Sequence, residues 1–496
     1  MQANFAFALD FEQLSIALSF LLILSLSLFF KYGKAPYTVT PPAAEPWKFY
    51  AKRSKELGRS TISLIAHGKS VVILNNLRCA ATLLEKRWSN YSSRPERPLL
   101  HLMGRADNVG LQQYGPRLRK CRKLIHEALN SSDTQVGQRL ERLIEEESVL
   151  FMQKLANAPE KFERLVPEFV ASLIFKLTYG HDADAEHNLL VEETTEYTNQ
   201  SLVPGRWLVD SYPYMQYLPS WVPGCGFKKW AYEARSKFMR LTDRPFKRVK
   251  DEVEAGIAAP SFVKENLVSW KDDPSMESII AGTAASFQSA GTDTMVASIL
   301  TFILMMVVHP EIQHKAYEEV STVVGPHRLP TVSDCTSLPY LTAVMKEVHR
   351  FNPPVPMAVR SVENADDYLG EPIPRGSWLL VNIWAITHDG EQYDKPHTFS
   401  PERFLSTREH PPKDPRDIVF GFSRRRCPGV ILADKTLMVV YAQLLTLFKL
   451  QTIKDENGSS VTPNISFSTG FTSVPKSFSC TFTHRSSTTA SPLLGQ

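Results

Sequence analysis

The chain has 496 residues, 43% hydrophobic and 22% charged, enough to bury a large core in one big domain or two coupled ones and too apolar for a disordered or fibrous protein. Its net charge of +4 is small for this size, so bulk electrostatics point to neither nucleic acid nor anions in general. The six cysteines (Cys79, Cys121, Cys225, Cys335, Cys427, Cys480) have neither the paired spacing of a zinc site nor the density of a disulfide scaffold, which fits a reducing compartment.

Residues 13–30, QLSIALSFLLILSLSLFF, carry no charge and are just long enough to span a bilayer. Asp10 and Glu12 precede them and Lys31 and Lys34 follow. The positive-inside bias then leaves 1–12 in the lumen and the rest of the chain in the cytosol. A cleaved signal peptide is the rival reading, but it wants a basic start and a small-residue cleavage site. On the anchored reading the sequons at Asn90, Asn130, Asn199, Asn457 and Asn464 face the cytosol and are chance matches. A proline-containing linker covers 31–46, and the folded domain spans 47–485.

Within that domain, Thr61 to Asn75 read as short strands around a turn at Gly68. Arg139 to Asn157 and Ala231 to Gly256 show helix-period apolar spacing. The longest candidate helix runs from Glu277 to His309, where Pro310 stops it; at 1.5 Å per residue it is about 50 Å long and must cross the whole domain. Its apolar half is too short and its start too charged for a second membrane span, so it is a buried core helix. A further helix is predicted from Val430 to Leu450. Residues 486–496 form a disordered, low-complexity tail. The architecture is mainly α with a minor β part.

FGFSRRRCPG, Phe420 to Gly429, places Cys427 just before the last helix. Unpaired N–H groups and the positive dipole end there lower a thiol pKa and favour the thiolate. Pro428 can open a helix, and Gly429 lets the backbone pass close to a flat ring. Alone, such a cysteine is more often an inert buried residue than a ligand. Glu347 and Arg350, three apart on one helix face, can pair. Ala290-Gly291-Thr292-Asp293-Thr294 puts a glycine, an acid and a hydroxyl in the middle of an apolar helix, where each is locally unfavourable. The bland alternative is a threonine bonded back to its own helix beside an exposed aspartate.

The cysteine segment resembles the haem-binding loop of the cytochrome P450 superfamily, Phe-x-x-Gly-x-Arg-x-Cys-x-Gly. Phe420, Arg425, Cys427 and Gly429 match; Ser423 stands where glycine is usual, so either the turn avoids a positive φ there or some strain is tolerated. The resemblance implies the P450 fold and haem b with Cys427 as axial iron ligand. Glu347, Arg350 and the Arg403 of Pro401-Glu-Arg-Phe404 would form a buried structural triad. Arg122, Arg360 and Arg425 match positions that hold the haem propionates, although Leu118 replaces a usual tryptophan nearby. Asp293 and Thr294 match the acid and alcohol that pass protons, through water, to the oxygen being activated, with room for that water at a helix kinked or widened at Gly291.

By the same resemblance the substrate pocket is lined from Leu99 to Gly110, by Phe287 and Ala290, by Val355, Met357 and Ala358, and by Phe471. These residues are mostly apolar and offer no fixed charge. The chain looks most like fungal microsomal members related to O-methylsterigmatocystin oxidoreductases. That implies a monooxygenase of the endoplasmic reticulum membrane, single-pass, with electrons from NADPH through a separate NADPH-cytochrome P450 reductase, O2 as co-substrate, and a lipophilic terpenoid or polyketide as substrate. Arg117, Arg119, Lys120, Lys123, Arg424, Arg426 and Lys435 would form a basic face that receives the reductase. Two other readings stay open: a haem-thiolate isomerase or dehydratase needing no external electrons, and a non-catalytic membrane haem protein.

Overall fold

Pro46 opens the first helix, α1 (Pro46–Leu57), and Gly58, at a φ of +61°, closes it with its N–H on the carbonyls of Lys55 and Ser54, a left-handed C-terminal cap that glycine adopts without penalty. The structure, a computed structural model, describes residues 44–485 apart from 67–68, 131–133, 203–205, 326 and 406–411. The expected lumenal segment, anchor and tail therefore lie outside the described residues, as does most of the linker.

The two β-branched runs pair as predicted. β1 (Thr61–Ala66) and β2 (Lys69–Leu74) are antiparallel, with Thr61 opposite Leu74. Helices follow: α2 (Pro116–Leu129), α3 (Thr134–Asn157), α4 (Phe162–Tyr179), α5 (Ala185–Leu202) and α6 (Phe227–Glu254). Next come α7 (Ser275–Val308), α8 (Pro310–Val324) and α9 (Pro339–Phe351). β3 (Met357–Ser361) and β4 (Trp378–Asn382) complete a four-stranded sheet of order β1-β2-β4-β3, with β4 parallel to β2 and antiparallel to β3. α10 (Val430–Leu447) then passes directly into β5 (Phe448–Gln451), which pairs with β6 (Thr481–His484). That pairing is why α10 ends at Leu447 rather than at the predicted Leu450.

α7 is the centre of the molecule. From Met295 to Val307 every residue is buried, and burying each Leu, Ile, Phe or Met there contributes about 1.5–3 kcal/mol. Phe302 stacks on Tyr441 of α10 with ring centroids 3.8 Å apart, and the Tyr441 hydroxyl donates to the Ser298 carbonyl at 2.9 Å. α7 and α10 are both long and apolar enough to cross a membrane, yet most of each apolar stretch is buried inside the domain; α7 is the core helix that its charged start predicted.

Candidate active site

Arg416–Val419 forms a short helical turn, after which the chain loops from Phe420 to Gly429. The Cys427 N–H donates to the Phe420 carbonyl at 2.7 Å, closing the loop on itself. Gly421 takes a φ of +81° and Ser423 one of +47°. The loop therefore does not avoid the left-handed region at the serine; it tolerates the strain. A Cβ on Gly429 would sit 3.8 Å from Cys427 Sγ, so glycine keeps that side of the sulfur open. Burial pushes the Cys427 thiol up, while the Gly429 N–H, Arg122 and Arg426 pull it down. The lowering expected at the helix N-terminus is present, but desolvation outweighs it. Behind the loop His349 of α9 meets the Phe420 ring edge-on at 5.3 Å. Burial, with Arg416 nearby, pushes His349 down to about 4, so a neutral imidazole backs the loop.

Four arginines converge beside the cysteine. Arg425 donates to the carbonyls of Ser92 (2.6 Å) and Gln112. Arg94 donates to the carbonyls of Gly110 (2.8 Å) and Val359. Among the described residues Arg360, on β3, donates only to the carbonyl of Val359 at 3.1 Å, and Arg122, on α2, donates to the Arg426 carbonyl at 2.8 Å. Among the described residues none of the four meets a carboxylate. Burial pushes the Arg360 guanidinium well down, and Arg94, Arg425 and Arg122 add to it. Burial, with Arg94 and Arg122 beside it, takes Arg425 to about 9, and burial takes Arg94 to about 10. Like charges crowded without a counter-ion call for an anion. Arg94, in the stretch Tyr91-Ser-Ser-Arg-Pro95, was not singled out from sequence as a site residue.

The predicted triad is one cluster. Arg350 grips Glu347 through two bonds, Nε to Oε2 at 2.7 Å and Nη2 to Oε1 at 2.8 Å, and Arg403 Nε joins Oε2 at 3.1 Å. Glu347 and Arg350 are fully buried. The remaining guanidinium donors bond main-chain carbonyls of Thr387, Pro396, Thr398 and Asp394, and Glu347 accepts the Ser400 N–H at 2.8 Å. A buried ion pair stabilises only when its leftover donors are satisfied; these fix the segment from 387 to 403 against α9.

On α7 the Thr294 hydroxyl donates to the Ala290 carbonyl at 2.9 Å, as in the bland alternative. Asp293 departs from that alternative: it is half-buried, has no ion pair among the described residues, and is pushed up by burial. The expected widening at Gly291 is absent, because α7 stays α-helical through it. The glycine serves packing instead: a Cβ there would lie 2.9 Å from Ile174 Cδ1 of α4.

The cytochrome P450 family profile matches residues 33–482. The chain belongs to the cytochrome P450 family. It is 37% identical over 452 residues to the cytochrome P450 monooxygenase claR of Ampulloclitocybe clavipes, covering 90% of this chain and 83% of that protein. It is 33% identical over 457 residues to the tryptamine 4-monooxygenase of Psilocybe cyanescens, covering 90% and 89%. A solved zebra fish cytochrome P450 with abiraterone matches with a TM-score of 0.70 at 21% identity, over 89% of this chain and 100% of that one, which is a likeness of fold. The protein is thus a P450 monooxygenase with fungal relatives, and haem is its cofactor.

The donor set fits that cofactor. A dianionic, flat ring is what four unpaired guanidinia beside an accessible cysteine accommodate, and Gly429 leaves clearance at the sulfur. The predicted pocket wall is less uniform. Ala290 is exposed and Val355 and Ala358 are half-buried. Phe287 is instead buried against Phe262, with ring centroids 5.0 Å apart. Met357 and Ala358 are strand neighbours on opposite faces: Met357 packs on the Tyr50 and Ile62 cluster and Ala358 on the Val72 and Leu74 cluster. Phe471, half-exposed, sits on a loop held by Asn352, which donates to Thr301 Oγ1 at 2.9 Å and to the Ser473 carbonyl at 3.0 Å. From Leu99 to Gly110, Leu99 and Met103 pack into the core with Phe238, and Arg105 contradicts the absence of a fixed charge. The basic face is also more neutralised than its sequence implies. Arg117 pairs with Asp107, Lys123 with Glu127, Arg426 with Asp417 and Lys435 with Glu141, leaving Arg119, Lys120 and Arg424 without an ion pair among the described residues.

Proposed function

We propose that this P450 inserts one oxygen atom from O2 into a lipophilic small molecule of fungal secondary metabolism, a terpenoid or polyketide. Cys427 would bind the haem iron through its thiolate, and electrons come from NADPH through a separate reductase. The chain is anchored by residues 13–30 in the endoplasmic reticulum membrane with the catalytic domain in the cytosol. The observation that carries the reading is Asp293 beside Thr294: an unpaired acid made harder to ionise by burial, one residue from a hydroxyl, on the central helix. An isomerase or a passive haem protein has no use for such a pair.

Haem, when bound, supplies the two-electron activation of O2 that sends one oxygen atom into a C–H bond and the other to water. The chain does the rest. Arg94, Arg122, Arg360 and Arg425 bind the two propionates through charge-assisted hydrogen bonds. The triad holds rigid the segment from 387 to 403 that braces the cysteine loop. Asp293, whose carboxyl burial makes harder to ionise, is the group that passes a proton on, and Thr294 Oγ1, whose own hydrogen goes to the Ala290 carbonyl, accepts a hydrogen bond from water and so orients it for proton delivery.

The test is a reduced, carbon monoxide-bound difference spectrum of the purified protein. Wild type should give the thiolate-type Soret band and Cys427→Ala should lose it; an unchanged band in the variant rejects the ligand. Substrate-dependent NADPH consumption with reductase present separates a monooxygenase from an isomerase. Comparison of metabolites extracted from the host with and without the gene identifies the substrate class.

A further inference from the structure

Arg105 lies in the loop before α2, which packs against α6 on one side and α7 on the other. Gly104, at a φ of +73°, lets that loop pass so close to α6 that a Cβ there would lie 3.3 Å from Arg235 Cγ. The Arg105 backbone is fixed at both ends, its N–H on the Leu100 carbonyl at 2.8 Å and its carbonyl accepting the Asn108 N–H at 3.1 Å. The guanidinium carbon sits 4.4 Å from the centroid of Phe238, which is 5% exposed on the inward face of α6. Among the described residues the guanidinium meets no carboxylate and no hydrogen-bond acceptor, so its five donors are unspent. Burial pushes it down to about 10, yet the residue is only half-buried by surface. Protein surrounds it while its polar edge stays reachable. On the α7 side, Val109 donates its N–H to Ser286 Oγ at 2.9 Å and Asn108 Nδ2 donates to Ser289 Oγ at 2.8 Å, next to the exposed Ala290.

A loop that stacks a guanidinium without a carboxylate partner among the described residues on an aromatic floor at one end, and is pinned through Asn108 and Val109 to serines of α7 at the other, places a cation beside that helix. We propose that Arg105 is the specificity-determining residue that receives a carboxylate of the substrate, so that this P450 takes amphiphilic acids with an apolar body and one anionic group. The planar fork suits a carboxylate bidentately, and Phe238 keeps the fork oriented. This rests on the monooxygenase reading above and narrows its substrate.

The experiment titrates the haem-loaded full chain with fatty acids from octanoate to palmitate and with their methyl esters, following the Soret shift. Wild type should bind an acid about tenfold or more tighter than its ester, as expected when a charge-assisted bidentate contact is lost. Arg105→Gln should bring the two within about twofold, and Arg105→Lys, which keeps the charge without the fork, should fall between. A wild-type ratio near one, no binding of any acid in the series, or an unchanged ratio in Arg105→Gln overturns the assignment. If Arg105→Gln does not fold, the ratio in Arg105→Lys decides, and a wild-type value there overturns it. Loss of the thiolate Soret band in wild type would overturn the monooxygenase reading itself; a normal band with no acid preference overturns only the role of Arg105.

Discussion

Ser423 holds a φ of +47° in the loop that presents the cysteine, a conformation that costs a non-glycine residue of order 1–3 kcal/mol. Ser423→Gly removes that strain and loosens the unfolded chain, which offsets part of the gain; the net expectation is a stabilisation of about 0.5 kcal/mol, read from chemical denaturation. A less stable variant would mean that the serine side chain contributes something its backbone does not reveal. Asp293 gives a pH prediction. Burial raises its carboxyl, so the folded protein holds the proton more tightly than the unfolded chain, and stability falls as pH rises from the ordinary aspartate range through the raised value. Asp293→Asn should therefore be more stable than wild type above that window and equal to it below. Its substrate oxidation per NADPH should drop, since the proton source is gone. Parallel stability curves for the two proteins across pH would refute the raised carboxyl.

At the scale of elements, Gly291 is where α4 and α7 touch. Adding a methyl 2.9 Å from Ile174 Cδ1 forces a fully buried side chain to move at about 1–3 kcal/mol, against about 1 kcal/mol that alanine gains over glycine inside a helix, so Gly291→Ala should lose up to about 2 kcal/mol. Ile174→Val, which removes that Cδ1, should restore most of the loss in the double variant; additive losses would place the clash elsewhere. Elements of this kind were legible in the sequence. The strands around Gly68 and the central helix, stopped by Pro310, fall within two residues of their predicted ends, because prolines, β-branched runs and long apolar periods act locally. What joins elements was not legible. Ile174 against Gly291, and Glu347 meeting the Ser400 N–H, are contacts between distant segments. The triad could be named because its residues match a family pattern, whereas the purpose of Gly291 changed from widening a helix to packing one. Arg94 and Arg105 carried no local signal of being unpaired; that depends on carboxylates absent from segments far away in the chain.

For the whole molecule, if electrons come from a separate reductase as proposed, the ion pairs on the basic face leave few cations to meet it. Arg424, stacked on Trp88 at 4.8 Å, and Lys120 keep their charge available, while Lys435 is held 2.6 Å from Glu141. Charge reversal at Arg424 or Lys120 should raise the reductase concentration needed for half-maximal turnover several-fold at low salt, an effect that fades as ionic strength rises. Equal effects from Lys435→Ala and Arg424→Ala would contradict this ordering.

The four guanidinia around Cys427 come from residues 94, 122, 360 and 425, and the last of them emerges near the end of synthesis. Until then no partial chain can offer the complete anion site, and the finished apoprotein carries four crowded cations that meet no carboxylate among the described residues. Haem is then a folding ligand as well as a reagent: by mass action it draws the chain out of its unfolded pool in proportion to its free concentration. Raising haem supply should therefore raise the amount of this protein in a cell and slow its proteolysis, which immunoblotting with and without haem supplementation would check.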